Sequence, residues 1–370
     1  MRKPVAAALM AACLLAACTV ATKPASGDPP GDATTSLQAM FDGLTPGATL
    51  KLDPKTYQHS GVVTITVPNV HIEGNGATLE ATNDLTSSVQ IRADGVSVSN
   101  LNLTAPIGGP RYSANEQHKL YVHGDGVRLS GITITGSAAA GVFLDGANNF
   151  VLDRVTVRDS RADGIHMTMG SSNGQVNNPL TERTGDDGVA VVSYGPQFGS
   201  SAGPCSNIVI NSPVINGTTY GQGITVRGGN NITYNNIRVS DTSGAGVFLS
   251  SEGAPFFTQS TKNVIVAGGS VNNANVTPGN VMGAVAIYGE YPGFATTDVT
   301  LSDLTITNTP PNAERNIAVW VKDGGEVNRI TLRNIAVRQQ TNVPVIYSDA
   351  PRETYTTTGI TLNGAPFPVA

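Results

Sequence analysis

Cysteine is nearly absent. The 370-residue chain has three: Cys13 and Cys18 near the start and Cys205 alone in the body. A lone thiol makes no internal disulfide and no cysteine–zinc cluster, so Cys205 is expected to be a buried, inert thiol. Charge is scarce as well, with 22 Lys and Arg against 27 Asp and Glu, a net −5. Removing Arg2 and Lys3 leaves the body at about −7. This balance excludes nucleic acid or another polyanion as partner. No apolar run after residue 17 is long enough to cross a bilayer. Helical periodicity is missing after residue 44, which excludes a helical bundle. No cofactor or metal-binding pattern is read from the sequence. Aromatics make up only 5% of the chain, so any that recur at one position carry information.

The first residues set the compartment. Arg2 and Lys3 precede an apolar stretch from Val5 to Ala17, too short to span a membrane and typical of an export signal. It ends in Leu15-Ala16-Ala17-Cys18, which resembles the lipobox of bacterial lipoproteins. The resemblance implies cleavage before Cys18 and lipidation of its thiol. Residues 1–18 are then a lipoprotein signal, and residues 19–32, rich in Pro, Gly, Ala and Thr, a flexible tether. The mature protein is expected to be exported and lipid-anchored, facing the periplasm or the cell exterior. Its one membrane contact is that lipid.

Residues 33–370 have one texture and read as a single domain. "TTSLQAMFDGL", residues 34–44, carries Leu37, Met40, Phe41 and Leu44 at helical spacing and reads as a short capping helix. Short strands follow, rich in Val, Ile and Thr and separated by Asn, Asp and Gly. A Gly followed by an alternating apolar strand recurs at Gly141, Gly164, Gly188, Gly223 and Gly246. The steps are 23, 24, 35 and 23. The long step fits one coil plus the insertion "GPQFGSSAGP". This periodicity predicts an all-β, single-stranded parallel β-helix of about ten coils. A β-propeller needs a repeat of about 40–45 residues. No oligomer is required, and a monomer is expected.

Residues one coil apart are stacked about 4.8 Å from each other. Asp163 precedes Gly164, Asp187 precedes Gly188, and Asp186 adjoins Asp187. The three carboxylates are therefore expected in one patch. Stacked like charges raise at least one pKa, which keeps a general acid protonated. "ADGIHMT" followed by "RTGDDGVAV" resembles the polygalacturonases of glycoside hydrolase family 28, in the pectin-lyase-like right-handed β-helix group. The resemblance is specific over residues 161–192. It implies inverting hydrolysis, with Asp186 as general acid and Asp163 and Asp187 activating water. Inversion requires about 6.5–9.5 Å between acid and base, so the trio is expected to splay.

The chain departs from that family. Arg161 and Ala162 replace the Asn-Thr before the first aspartate. Gly221-Gln222-Gly223 replaces Gly-His-Gly, so Gln222 can hydrogen-bond but not titrate. Phe248-Leu249-Ser250 replaces Arg-Ile-Lys, the grip on a uronate carboxylate. A neutral polysaccharide, or a loss of activity, is therefore expected. Alternation along the strand column places Val142, Leu144, Ile165, Met167, Val189, Val191, Ile224, Val226, Val247 and Leu249 inward. Phe143, His166, Arg227, Phe248, Tyr288, Trp320 and Lys322 then face outward. His166, Gln222, Arg227, Phe248, Tyr288 and Trp320 form the expected substrate-binding set, its aromatics lining a glycan groove. The polar stretch at residues 106–123, with Arg111, Tyr112, Glu116 and His118, reads as a loop that forms a groove wall or a solvated excursion. Three readings stay open: a glycoside hydrolase, a polysaccharide lyase or epimerase, and a non-catalytic glycan-binding or envelope lipoprotein.

Overall fold

The computed structural model describes residues 31–368. The signal segment, Cys18 and the tether up to residue 30 lie outside the described residues. The tether's last residues belong to the body. Asp32 bridges to Gln58, and its carboxylate accepts from the Thr34 backbone N–H at 2.8 Å.

The chain winds into a parallel β-solenoid. One face is a sheet of eleven short strands, one per coil. The other two faces form a continuous sheet of twenty strands. Long strands such as Gly229–Ser240 and Ala295–Thr307 run through the corner between those faces. The corner needs one residue in left-handed conformation per coil. Asn100, Asn178, Asn236, Asp303 and Asn334 supply it with φ between 50° and 59°. Asn and Asp tolerate this region best among residues with a side chain. The asparagines just before this corner bond along the stack, from Asn235 to Asn211 at 2.9 Å and from Asn211 to Asn177 at 2.8 Å.

The recurring glycines have a different cause. A Cβ on Gly164 would lie 2.6 Å from the Gly188 carbonyl oxygen, and one on Gly188 would lie 2.7 Å from that of Gly223. The backbone passes too close to the next coil for any side chain. The inward residues expected from alternation are all fully buried. Helix Thr34–Asp42 closes one end with Leu37 and Phe41. Cys205 is buried with its Sγ 3.6 Å from the Val192 carbonyl, and burial pushes the thiol up to about 11.

Candidate active site

Asp163 and Asp187 each stand two residues ahead of a short strand, Ile165–Thr168 and Val189–Val192. The ladder pairs Ile165 with Val189, so the two aspartates occupy the same position one coil apart. The Gly164 N–H donates to the Asp187 carbonyl at 2.9 Å, and the Gly188 N–H to that of Gln222 at 2.9 Å. Asp186 stands one place earlier, over Ala162 on one side and Gly221 on the other. A Cβ on Gly221 would lie 2.3 Å from Asp186 Oδ1, so that glycine makes room for the carboxylate. One oxygen from each of Asp163, Asp186 and Asp187 lies within 4.8 Å of the others. The trio therefore converges at its nearest oxygens.

The surroundings treat the three differently. Burial works against the Asp163 charge, but His166 and Arg111 outweigh it and hold the carboxyl below its usual range. His166 Nδ1 lies 3.1 Å from Asp163 Oδ2. Burial pushes Asp187 up to about 7; Arg227 opposes the shift, and Asp186 and Asp163 add to it. Asp187 Oδ1 accepts from the Gln222 backbone N–H at 2.7 Å. Asp186 is also raised, first by burial and then by the Asp163 charge, with Arg111 and Arg227 pulling the other way. Arg111 Nη1 sits 2.5 Å from Asp186 Oδ2. One carboxyl is thus held below its usual range beside two that are raised above theirs, the division of environments that acid–base catalysis needs. The trio has the donor set for a cation, but Arg111 and Arg227 already supply positive charge there and oppose a metal ion.

The expected substrate-binding residues are placed differently. Arg227 Nη1 binds Glu252 at 3.0 and 3.2 Å, and its Nε lies 3.8 Å from Asp187 Oδ2. Phe248 is only 1% exposed and lies under the Arg227 guanidinium, 4.9 Å from ring centroid to carbon. It packs with Ala245, Ala286, Tyr288 and Ala318 in a small second core. Phe248 therefore offers no free ring face to a sugar, which corrects the expectation for it. Tyr288, Gln222 and His166 are buried too. Trp320 is half-buried against Tyr288, and the neighbouring Tyr347 is exposed.

Two arginines act in ways the sequence did not show. Arg111 reaches the trio from the loop at residues 106–119. Arg161, where the resemblance expects an asparagine, is a buried tie. It forks onto Asp84 at 2.6 and 3.0 Å and binds the Pro106 and Pro110 carbonyls. Tyr194 also faces the site, its hydroxyl kept protonated by burial and by the Asp163 charge. Tyr194 follows the paired aspartates in the same stretch, a proximity available in the sequence. The Arg111 contact joins residues 75 apart and has no periodic signal.

A family model described as a right-handed beta helix region matches residues 88–261. Solved structures superpose over nearly the whole chain. The catalytic domain of a GH87 alpha-1,3-glucanase, in complex with tetrasaccharides, is 15% identical over 92% of this chain and 71% of its own, with a TM-score of 0.64. The chain is a right-handed parallel β-helix. The A-module of the Azotobacter vinelandii mannuronan C-5 epimerase AlgE6 is 14% identical, covering 91% of this β-helix and 96% of its own chain, with a TM-score of 0.61. PfbA, a surface adhesin of Streptococcus pneumoniae, is 14% identical, covering 90% and 86%, with a TM-score of 0.63. At these identities the likeness is one of fold. A search of curated proteins found no match to the β-helix.

Proposed function

We propose that this β-helix is a glycoside hydrolase acting on a neutral polysaccharide. The observation that carries the reading is the convergence of Asp163, Asp186 and Asp187 within 4.8 Å, with Asp163 held ionised and Asp187 pushed towards protonation. Asp186 is the most exposed of the three and is assigned as the acid that protonates the leaving oxygen. Asp163 takes the proton of the attacking water, and Asp187 shares its proton with the pair. The glucanase among the structural neighbours was solved with alanine at one or the other of two consecutive aspartates, and Asp186-Asp187 is also a consecutive pair. A neutral substrate is favoured because Arg227 is engaged by Glu252 and the Arg-Ile-Lys grip is replaced by Phe248-Leu249-Ser250.

The test is release of reducing ends from a panel of neutral polysaccharides, with alpha-1,3-glucan included, by wild type and by Asp186→Asn. Turnover by wild type and a loss of about a hundredfold or more in the variant are expected. An unsaturated product absorbing in the ultraviolet would instead indicate a lyase. Glycan binding that survives alanine at all three aspartates, with no reducing ends released, would indicate an adhesin-like role. The resemblance implies inversion, which sets acid and base about 6.5–9.5 Å apart, whereas retaining enzymes hold their two carboxyls about 5–5.5 Å apart. The first-formed anomer, read by proton NMR, decides between them. We further propose export and lipid anchoring at Cys18. Loss of the protein from the membrane fraction in Cys18→Ser checks that proposal.

A further inference from the structure

A single side chain lies across the exposed edge of the trio. The Asp186 side chain is 18% exposed, against 10% for Asp163 and 5% for Asp187. Arg111 covers it and is itself 32% exposed. The backbone on both sides of Arg111 is fixed. Arg161 Nη1 donates to the Pro110 carbonyl at 3.1 Å, and the Tyr112 N–H donates to the Ala138 carbonyl at 2.9 Å. Arg111 can therefore leave Asp186 by rotating its own torsions while the loop stays in place.

We propose that Arg111 is a swinging counter-ion: in the empty site it suppresses protonation of Asp186, and a sugar entering at Asp186 displaces it, so that this carboxyl gains the proton it donates. This rests on the hydrolase reading. A general acid must come within about 2.6–3.2 Å of the oxygen it protonates. Arg111 already occupies Asp186 Oδ2 at hydrogen-bond distance, 2.5 Å, so guanidinium and glycosidic oxygen compete for one atom. The pair is largely buried, so Arg111 can leave only as the sugar's contacts and the proton gained by Asp186 offset the lost ion pair.

Once Arg111 leaves, the groups facing Asp186 are Asp163, Asp187, Arg227 and Tyr194, with His166 and His118 behind Asp163. Arg227 is already committed to Glu252. His118 is held neutral by burial and by His166, down at about 3. With Arg111 gone, Arg227 alone opposes burial and the Asp163 charge, and these two drive a proton onto Asp186. That proton comes from solvent and passes to the glycosidic oxygen as the bond to the anomeric carbon breaks. Water adds its hydroxide to the carbon and gives its own proton to Asp163, which returns it to solvent. No oxidant or reductant is involved.

The test uses the whole protein, with aspartate carboxyls labelled with carbon-13 and Asp186 assigned from the signal missing in Asp186→Asn. In Arg111→Ala the Asp186 titration midpoint is expected to rise by about one pH unit or more, while Arg111→Lys stays near wild type. An unmoved midpoint in Arg111→Ala overturns the proposal. This readout needs no substrate, so it is independent of the hydrolase reading, which fails on its own if wild type turns over no glycan in the panel. On a glycan that is turned over, the basic limb of kcat/KM reports the free enzyme and that of kcat the complex. The two limbs are expected to lie apart in wild type and to converge in Arg111→Ala. Limbs that coincide in wild type overturn the displacement.

Discussion

Asp163 and Asp187 are the same chemical group placed one coil apart, and their surroundings push them in opposite directions. Asp163 faces His166, while Asp187 is more deeply enclosed and meets Arg227 only at 3.8 Å. Asp187 titrates at about 7 in the fold and in the ordinary carboxylate range when unfolded. The folded protein thus binds more protons than the unfolded chain between these values. Its contribution to stability is present at low pH and is lost as pH rises through about 7. Asp187→Asn keeps an oxygen for the Gln222 N–H and removes the charge. The variant is expected to be more stable than wild type at pH 8, by on the order of a few kcal/mol, and to differ little at pH 4. Thermal unfolding at both pH values checks this, and equal shifts at the two would contradict the assigned pKa. Activity is expected to fall in the same variant, which separates catalytic need from folding.

At the level of elements, the ladder rests on residues chosen for what they lack. Gly164 has no room for a Cβ, with the Gly188 carbonyl oxygen and Thr181 Cγ2 both at 2.6 Å. Gly164→Ala is expected to cost on the order of 2 kcal/mol through forced separation of coils. Gly203 has nothing within 4 Å of its added Cβ, and Gly203→Ala serves as the neutral control. Urea unfolding of both variants measures the difference. This crowding is also why the fold was legible in the sequence. It recurs in five consecutive coils, at Gly141, Gly164, Gly188, Gly223 and Gly246, and imprints a step of about 23 residues, from which the stacking of Asp163 on Asp187 followed. The corner asparagines are legible for the same reason. The loops are not. Arg111 meets Asp186 and Arg161 meets Asp84 across 75 and 77 residues, contacts that occur once and leave no period. Alternation identified Phe248 as outward, but outward from the sheet is not outward to solvent when Arg227 lies over the ring.

A solenoid presents a new difficulty at the scale of the whole molecule, because its two ends are open sheet edges. An unpaired edge recruits another chain. At one end a hairpin folds back, with Thr361 and Leu362 pairing antiparallel to Pro366 and Ala365. At the other, the short-strand sheet ends on Val63–Ile65, which among the described residues pairs only with Val89–Ile91. The helix Thr34–Asp42 covers this end in two ways. Leu37 and Phe41 close the core, and Gln38 acts as a false strand. Its Nε2 donates to the Thr64 carbonyl at 2.9 Å, and its Oε1 accepts from the Thr64 N–H at 2.8 Å. Gln38→Ala therefore frees both backbone groups of one edge residue without touching the core. A loss of about 1–2 kcal/mol is expected from the two hydrogen bonds. The more telling outcome is assembly, because the freed edge can pair with a second copy. Light scattering across a concentration series is expected to show association in Gln38→Ala and a monomer in wild type. A variant that is less stable but still monomeric would show that Leu37 and Phe41 alone keep the edge from other chains.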